Sequence, residues 1–304
     1  MTAFDSLAFP VQKWVRERGW KELRAIQAES VTAILGSTRD LIISASTAGG
    51  KTEAAFLPLI SQMTAQDAVG SSGFGAVYIG PLKALINDQH ERLEDICRHA
   101  EIAVVPWHGD VSASVRARAQ KNPSGILLIT PESLEALFVR KGSLIPTLFG
   151  NAEAVVIDEL HTFLDSERGV QLRSLLTRLE LAISHKVRRI GLSATLGSME
   201  LAKTYLRRED PENVQIIESS DGGAELRLQV RGYSIGTSDE AESAANREIS
   251  DHLFSHLRGS NNLVFAGSRG RVESFSDSLR RKCESERLPQ EFYPHHANLS
   301  KDHR

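Results

Sequence analysis

The 304-residue sequence predicts an α/β fold, a mostly parallel sheet covered by helices, followed by the opening of a second unit of the same class. Three observations carry this. Short apolar runs rich in Ile and Val recur through the first 215 residues or so. They are too short and too continuous for surface helices, and the stretches between them are long enough to be helical. A fresh helix-strand-helix series then begins near residue 246. Strands buried on both faces and alternating with helices form a sheet of parallel strands.

Taken in order, "VQKWVRERGWKELRAIQAESVTAIL" reads as helical with an interruption near Gly19. The strand candidates are "LIISA" (41–45), "GAVYIG" (75–80), "AVVP" (103–106), "GILLIT" (125–130), "AVVIDE" (154–159) and "RRIGLSAT" (188–195). In "GVQLRSLLTRLELAI", Leu172, Leu175, Leu176, Leu179 and Ile183 return at helical spacing. Composition changes near residue 216. "ESSDGGAELRLQVRGYSIGTSDEAES" holds a glycine pair, a strand candidate from Leu226 to Val230 and an acidic, serine-rich run, so 216–245 reads as a linker or edge segment. "REISDHLFSHLRG", "NNLVFAG" and "SRGRVESFSDSLRRKCES" follow. A stretch of roughly sixty residues makes a poor independent core. Residues 246–304 are therefore expected to open a second α/β domain whose remainder is absent.

Bulk properties exclude several classes. A hydrophobic fraction of 41% supports a full core, and a length of 304 allows one large or two modest domains. Cys97 and Cys283 are not spaced as metal ligands and suit a reducing compartment, so a cytoplasmic location is expected. No apolar run approaches membrane-spanning length and the N-terminus lacks a signal peptide's apolar core. A net charge of -3 argues against a histone-like coating protein and leaves room for a local basic patch.

"ISASTAGGKTEAAF" (43–56) ends a phosphate-loop pattern at Gly50, Lys51 and Thr52, although the pattern's first glycine is replaced by Ala45. A strand before it and a helix after it point backbone N–H groups and the positive helix end at phosphate oxygens. The loop residues Thr47, Ala48, Gly49 and Gly50 would line that cradle. Lys51 would reach the β and γ phosphates, and the Thr52 hydroxyl would ligate Mg2+. "AVVIDELH" (154–161) then runs four apolar residues into Asp158 and Glu159, which places both carboxylates at the carboxyl edge of a buried strand. Asp158 would hold Mg2+ and Glu159 would orient the attacking water, which suggests hydrolysis rather than binding alone.

With these in order, the chain resembles a superfamily 2 helicase of the DExH type, most like the Lhr (large helicase-related) group. The motifs are "LRAIQAES", "STAGGKTEAAFLP", "GPLKALINDQ", "WHGD", "ILLITPESLEALF", "VVIDELHTF", "IGLSATLGS" and "NNLVFAGSRGRVESF", with "HHANLSKDHR" resembling the next segment. The resemblance runs from about residue 9 onward. It implies a RecA-like ATP-binding domain over 1–215, an ATPase using ATP and Mg2+, and single-stranded or tailed DNA or RNA as partner.

The resemblance also implies roles. Gln27 would read adenine, since an amide offers donor and acceptor. Phe9 fits either stacking on the base or a core or staple position. Ser193, Ala194 and Thr195 would couple hydrolysis to strand binding near Glu159 and His161, His161 alone being open to a structural reading. Pro81, Leu82, Lys83 and Ala84, with Thr130, Pro131, Glu132 and Ser133, would track a strand's backbone. Arg168–Gly169 would add a contact, as would Ser268 and Arg269, Arg269 fitting a solvated helix position equally. Departures are Ala48 and Gly49 in the loop, Ala297 where relatives carry glycine, and no motif V or arginine pair of motif VI after residue 269. The expectation is therefore ATP and weak strand binding without duplex unwinding by this chain alone, a missing helicase domain or a partner in trans being one remedy. The alternatives are a non-catalytic accessory module and a small-molecule NTPase; Gln27, "PLKAL", "TPES" and "SAT" speak against the latter.

Overall fold

In the computed structural model, residues 2–46, 49–66, 72–194, 196–219, 227–235 and 238–296 are described. By chain contacts the protein divides into two units, Met1–Gly223 and Ala224–Arg304. The first is built on β1 (Leu41–Ser44), β2 (Ala76–Ile79), β3 (Val104–Trp107), β4 (Ile126–Ile129), β5 (Ala154–Ile157), β6 (Arg188–Ser193) and β7 (Gln215–Glu218). These pair in the order β3-β4-β2-β5-β6-β1-β7, and every pairing is parallel. Nine helices alternate with the strands among the described residues: α1 (Phe9–Glu17), α2 (Ala25–Gly36), α3 (Lys51–Gln66), α4 (Lys83–Cys97), α5 (Ala113–Lys121), α6 (Pro131–Lys141), α7 (Ile145–Phe149), α8 (Glu167–Ile183) and α9 (Met199–Leu206).

Burial explains why these runs are continuous rather than alternating. All four positions of β1, β2, β4 and β5 are buried. Their side chains still alternate between faces, as a pleated strand requires. Leu41 and Ile43 join the core formed with α1, α2, α3 and α4, while Ile42 joins the one formed with α6, α7, α8 and α9. The helical leucines anticipated at 172, 175, 176 and 179 all point into that second core.

The interruption expected near Gly19 falls between α1 and α2, over 18–24, with Gly19 in the left-handed region at φ 68°. Four features differ from the sequence expectation. The sheet runs past residue 215: β7 pairs with β1, Leu41 lying opposite Gln215. The helix expected from 247 is α10 (Asp239–Leu257), which begins inside the stretch read as linker. "NNLVFAG" is not a strand. Leu263, Val264 and Phe265 are 75%, 49% and 86% exposed, because a strand needs a ladder partner and none lies among the described residues of the second unit. Of the candidate strand 226–230, residue 226 lies outside the described residues and 227–230 form no strand. The second unit packs α10 on α11 (Arg269–Ser285) through Phe254, Leu279 and Cys283, with Leu253, Leu288 and Phe292 against them.

Candidate active site

The loop between β1 and α3 is shaped by two glycines. A Cβ on Gly49 would stand 2.8 Å from Ala45 Cβ and 2.9 Å from Ser46 O, and Gly50 adopts φ +84°. Thr47 and Ala48 lie outside the described residues. Lys51 turns its ammonium onto the loop itself, donating to Ala45 O at 2.7 Å and Ser46 O at 3.0 Å. Burial lowers its pKa from the usual lysine value; Glu159 and Asp158 oppose that, and Arg92 adds to it. Thr52 is buried in the first turn of α3. Next to it, Glu53 is buried and receives Arg92 Nε at 2.8 Å.

Gln27 lies against this loop. Its amide is 1% exposed, and a Cβ on Gly50 would fall 2.7 Å from its Nε2. Its Oε1 accepts the Arg24 backbone N–H at 3.0 Å, capping α2. The acceptor expected to read a base is thus committed to the helix, and Nε2 is the half that faces the loop. Phe9 is 70% exposed at the start of α1, which removes the core alternative for it.

The carboxylates stand at the end of β5, two strands from β1 across β6. Asp158 accepts at both oxygens: Oδ1 from the Glu159 N–H at 2.9 Å, and Oδ2 from the Tyr78 hydroxyl. Burial, and then the Asp158 charge, drive the Tyr78 pKa far above the ordinary phenol range, so the hydroxyl is a proton donor at any working pH. Glu159 has left-handed backbone, φ 49° and ψ 47°, a conformation that costs a non-glycine residue about 1–3 kcal/mol. His161 Nδ1 lies 3.1 Å from Ser193 Oγ and 3.5 Å from Glu159 Oε2. The two segments expected to communicate therefore meet through this imidazole. Ala194 is half-buried beside Ser193, and Thr195 lies outside the described residues.

β2, β4 and β3 deliver the remaining candidates to the same edge. Pro81 is buried, Leu82 is exposed, and Lys83 opens α4 with its ammonium 3.0 Å from Asp110, which follows β3. Thr130 caps α6, accepting the Ser133 N–H at 3.3 Å, with Pro131 and Glu132 in the first turn. Arg168, in the first turn of α8, grips Glu132 through two bonds of 2.6 and 3.0 Å and lies over the Phe163 ring at 5.6 Å. Gly169 is required by close approach, since a Cβ there would come within 1.7 Å of Phe163 O. Ser268 caps α11 by accepting the Arg271 N–H, and Arg269 opens that helix; both belong to the second unit. Sequence reasoning missed Tyr78, Asp110 and the Glu53–Arg92 pair. Tyr78 sat in the strand candidate "GAVYIG" and Asp110 and Glu53 in quoted motifs, and a phenol in an otherwise apolar strand was the available signal.

Residues 24–204 match the DEAD/DEAH box helicase family. The chain belongs to that family. Within it the chain is Lhr-like. It is 30% identical over 284 residues to the ATP-dependent helicase Lhr-Core of Methanothermobacter thermautotrophicus, covering 87% of this chain and 32% of the relative. It is 28% identical over 293 residues to the Lhr helicase/uracil glycosylase of Escherichia coli, covering 86% and 19%. This family member thus spans about a third or less of those relatives. Among solved structures, Mycobacterium smegmatis helicase Lhr bound to ssDNA and AMP-PNP superposes with a TM-score of 0.75 at 24% identity, over 99% of this chain and 40% of that one. The DEAD-box helicase Mss116 bound to ssRNA and UDP-BeF gives 0.75 at 16% identity, over 100% and 62%. These likenesses identify the fold as RecA-like.

Proposed function

We propose that this chain hydrolyses ATP and binds a single strand of DNA or RNA as part of an Lhr-like helicase. The observation that carries the reading is one sheet edge. It holds the loop with Lys51, the Asp158–Glu159 pair and the His161–Ser193 contact on β1, β5 and β6, and the helix starts at Lys83, Thr130 and Arg168 beside them.

Lys51 exchanges the Ala45 and Ser46 carbonyls for β and γ phosphate oxygens, a charge-assisted contact. The Thr52 hydroxyl and Asp158 carboxylate offer only oxygen donors, which fits Mg2+, an ion held by one or two protein groups plus phosphates. When bound, the ion supplies charge neutralisation at the phosphates. Glu159 orients a water and takes its proton as the water oxygen bonds to the γ phosphorus and the bridging oxygen leaves with ADP. His161, between Glu159 and Ser193, reports that event to β6. Gln27 donates through Nε2 to the adenine edge and Phe9 offers a face to the ring. Lys83, Thr130 with the N–H groups of α6, and Arg168 contact strand phosphates, as Ser268 and Arg269 do from the second unit. Lys83 and Arg168 must first leave Asp110 and Glu132, so strand affinity is weak and falls with salt. Residues 246–304 read as the start of a second domain of the same type, joined by 216–245, with α10 beginning earlier, at Asp239.

The test is ATPase activity with and without single-stranded DNA and RNA. Glu159→Gln should keep ATP binding in calorimetry and lower turnover about 100-fold or more, while Lys51→Ala should lose most ATP affinity. Equal ATP binding by the wild type and Lys51→Ala would count against the site.

A further inference from the structure

The candidate metal carboxylate depends on a residue that no motif role accounts for. Tyr78 is the third residue of β2, fully buried, in register with Val156 of β5 on one side and Leu128 of β4 on the other. Its ring packs near Phe56 of α3, with centroids 6.3 Å apart, and a phenylalanine would fill that space equally well. The hydroxyl is therefore not needed for packing, and burying one costs free energy unless it is hydrogen-bonded. Its partner is Asp158 Oδ2. Because Glu159 N–H occupies Oδ1 at 2.9 Å, one donor on each oxygen fixes the plane of the carboxylate and leaves its other lone pairs for a cation. β2 also continues through Gly80 and Pro81 into Lys83, so the strand that positions Asp158 leads into the proposed strand-binding edge.

We propose that Tyr78 is a positioning residue that holds the Asp158 carboxylate in the orientation needed to bind Mg2+. This rests on the nucleotide-site reading above, and the experiment separates the two. Binding of a fluorescent ADP analogue is measured across a Mg2+ titration. Tyr78→Phe should bind the analogue without Mg2+ as the wild type does and shift the Mg2+ midpoint upward about tenfold, the usual size of an outer-shell effect. A residue that only supports the fold would lower the melting temperature and leave the midpoint in place. An unchanged midpoint in Tyr78→Phe, with Lys51→Ala deficient in binding, overturns the proposal alone. Equal binding by the wild type and Lys51→Ala sinks the nucleotide site and the proposal with it. Tyr78→Phe added to Asp158→Asn should cause no further shift; an additive loss overturns action through Asp158. Should Tyr78→Phe lack native circular dichroism, the tyrosine near-ultraviolet difference produced by Mg2+ and ADP decides. It should vanish in Asp158→Asn, and its persistence there overturns the proposal.

Discussion

Gln27 serves two demands with one amide. Its Oε1 caps α2 at the Arg24 N–H, and its Nε2 abuts Gly50. Gln27→Ala would remove both, so a loss of ATP affinity in that variant would be ambiguous; an N-terminal cap is worth about 0.5–2 kcal/mol by itself. Gln27→Glu separates them, because a carboxylate keeps the acceptor and lacks the donor. The expected outcome is a weakened preference for ATP over GTP in competition binding, a ratio that the stability cost of burying a carboxylate there does not set. Unchanged discrimination would remove Gln27 from base recognition. Much of the site was legible at this scale because its residue types have few alternative uses: Gly49, Gly50 and Lys51 between a strand and a helix, and Asp158 and Glu159 at a strand end. Sequence did not disclose that Glu159 would be left-handed, or that Lys83 and Arg168 would be engaged by Asp110 and Glu132. Backbone strain and cross-element ion pairs depend on which loops meet at the edge, and spacing along the chain does not encode that.

Among elements, one carboxylate on α4 receives donors from α1 and its C-terminal cap. Asp95 accepts Trp14 Nε1 at 2.7 Å and pairs with Arg18. Burial acts to raise its pKa, but the Trp14 and Arg18 donors outweigh burial and hold the carboxyl below the ordinary aspartate value. A group depressed in the folded state contributes stability that is present above its unfolded pKa of about 3.9 and is lost as pH falls through the folded value. Denaturant titrations should therefore show Asp95→Asn less stable than wild type at pH 7, with the gap closing below about pH 4. A gap that stays constant down to pH 2 would mean the contact is not electrostatic. The same contrast between local and non-local cause explains which elements could be read in advance. β1, β2, β4 and β5 are short, largely apolar runs, and their burial on both faces writes them into the sequence. β7 is half-buried at Gln215 and Ile216 and polar at both ends, so its pairing with β1 left little local trace. "NNLVFAG" has the opposite history: strand composition is present, and a ladder partner is not.

At the scale of the molecule, the first unit is closed at the amino-terminal edge of its sheet by a buried ionic network opposite the candidate site. Arg207 reaches Asp40 and Glu180, Arg189 reaches Glu180 at 2.8 Å, and the Arg189 N–H meets Asp40 at 2.7 Å. Asp40 precedes β1 and Arg207 follows α9, so this network fastens the beginning of the sheet to nearly its end. Beyond β7 the character of the chain changes. Residues 227–232 form no helix or strand and are exposed, with Arg227 and Arg231 among them, before α10 begins at Asp239. Trypsin at low ratio should therefore cut first after Arg227 or Arg231, leaving a fragment with all seven strands, Lys51, Asp158, Glu159 and Ser193. That fragment should bind ATP as the 304-residue chain does, since every residue proposed to hold nucleotide lies on it. First cleavage before Glu218, within the sheet, would show that β7 is not part of the domain. Neither species is expected to displace a labelled strand from a tailed duplex at low salt with ATP. Unwinding requires two bodies to move while each grips the strand; Lys83, Thr130 and Arg168 sit on one sheet edge, and the second unit offers only Ser268 and Arg269 at the start of α11. ATP-dependent displacement by the 304-residue chain, abolished in Glu159→Gln, would show that those two contacts suffice as a second grip.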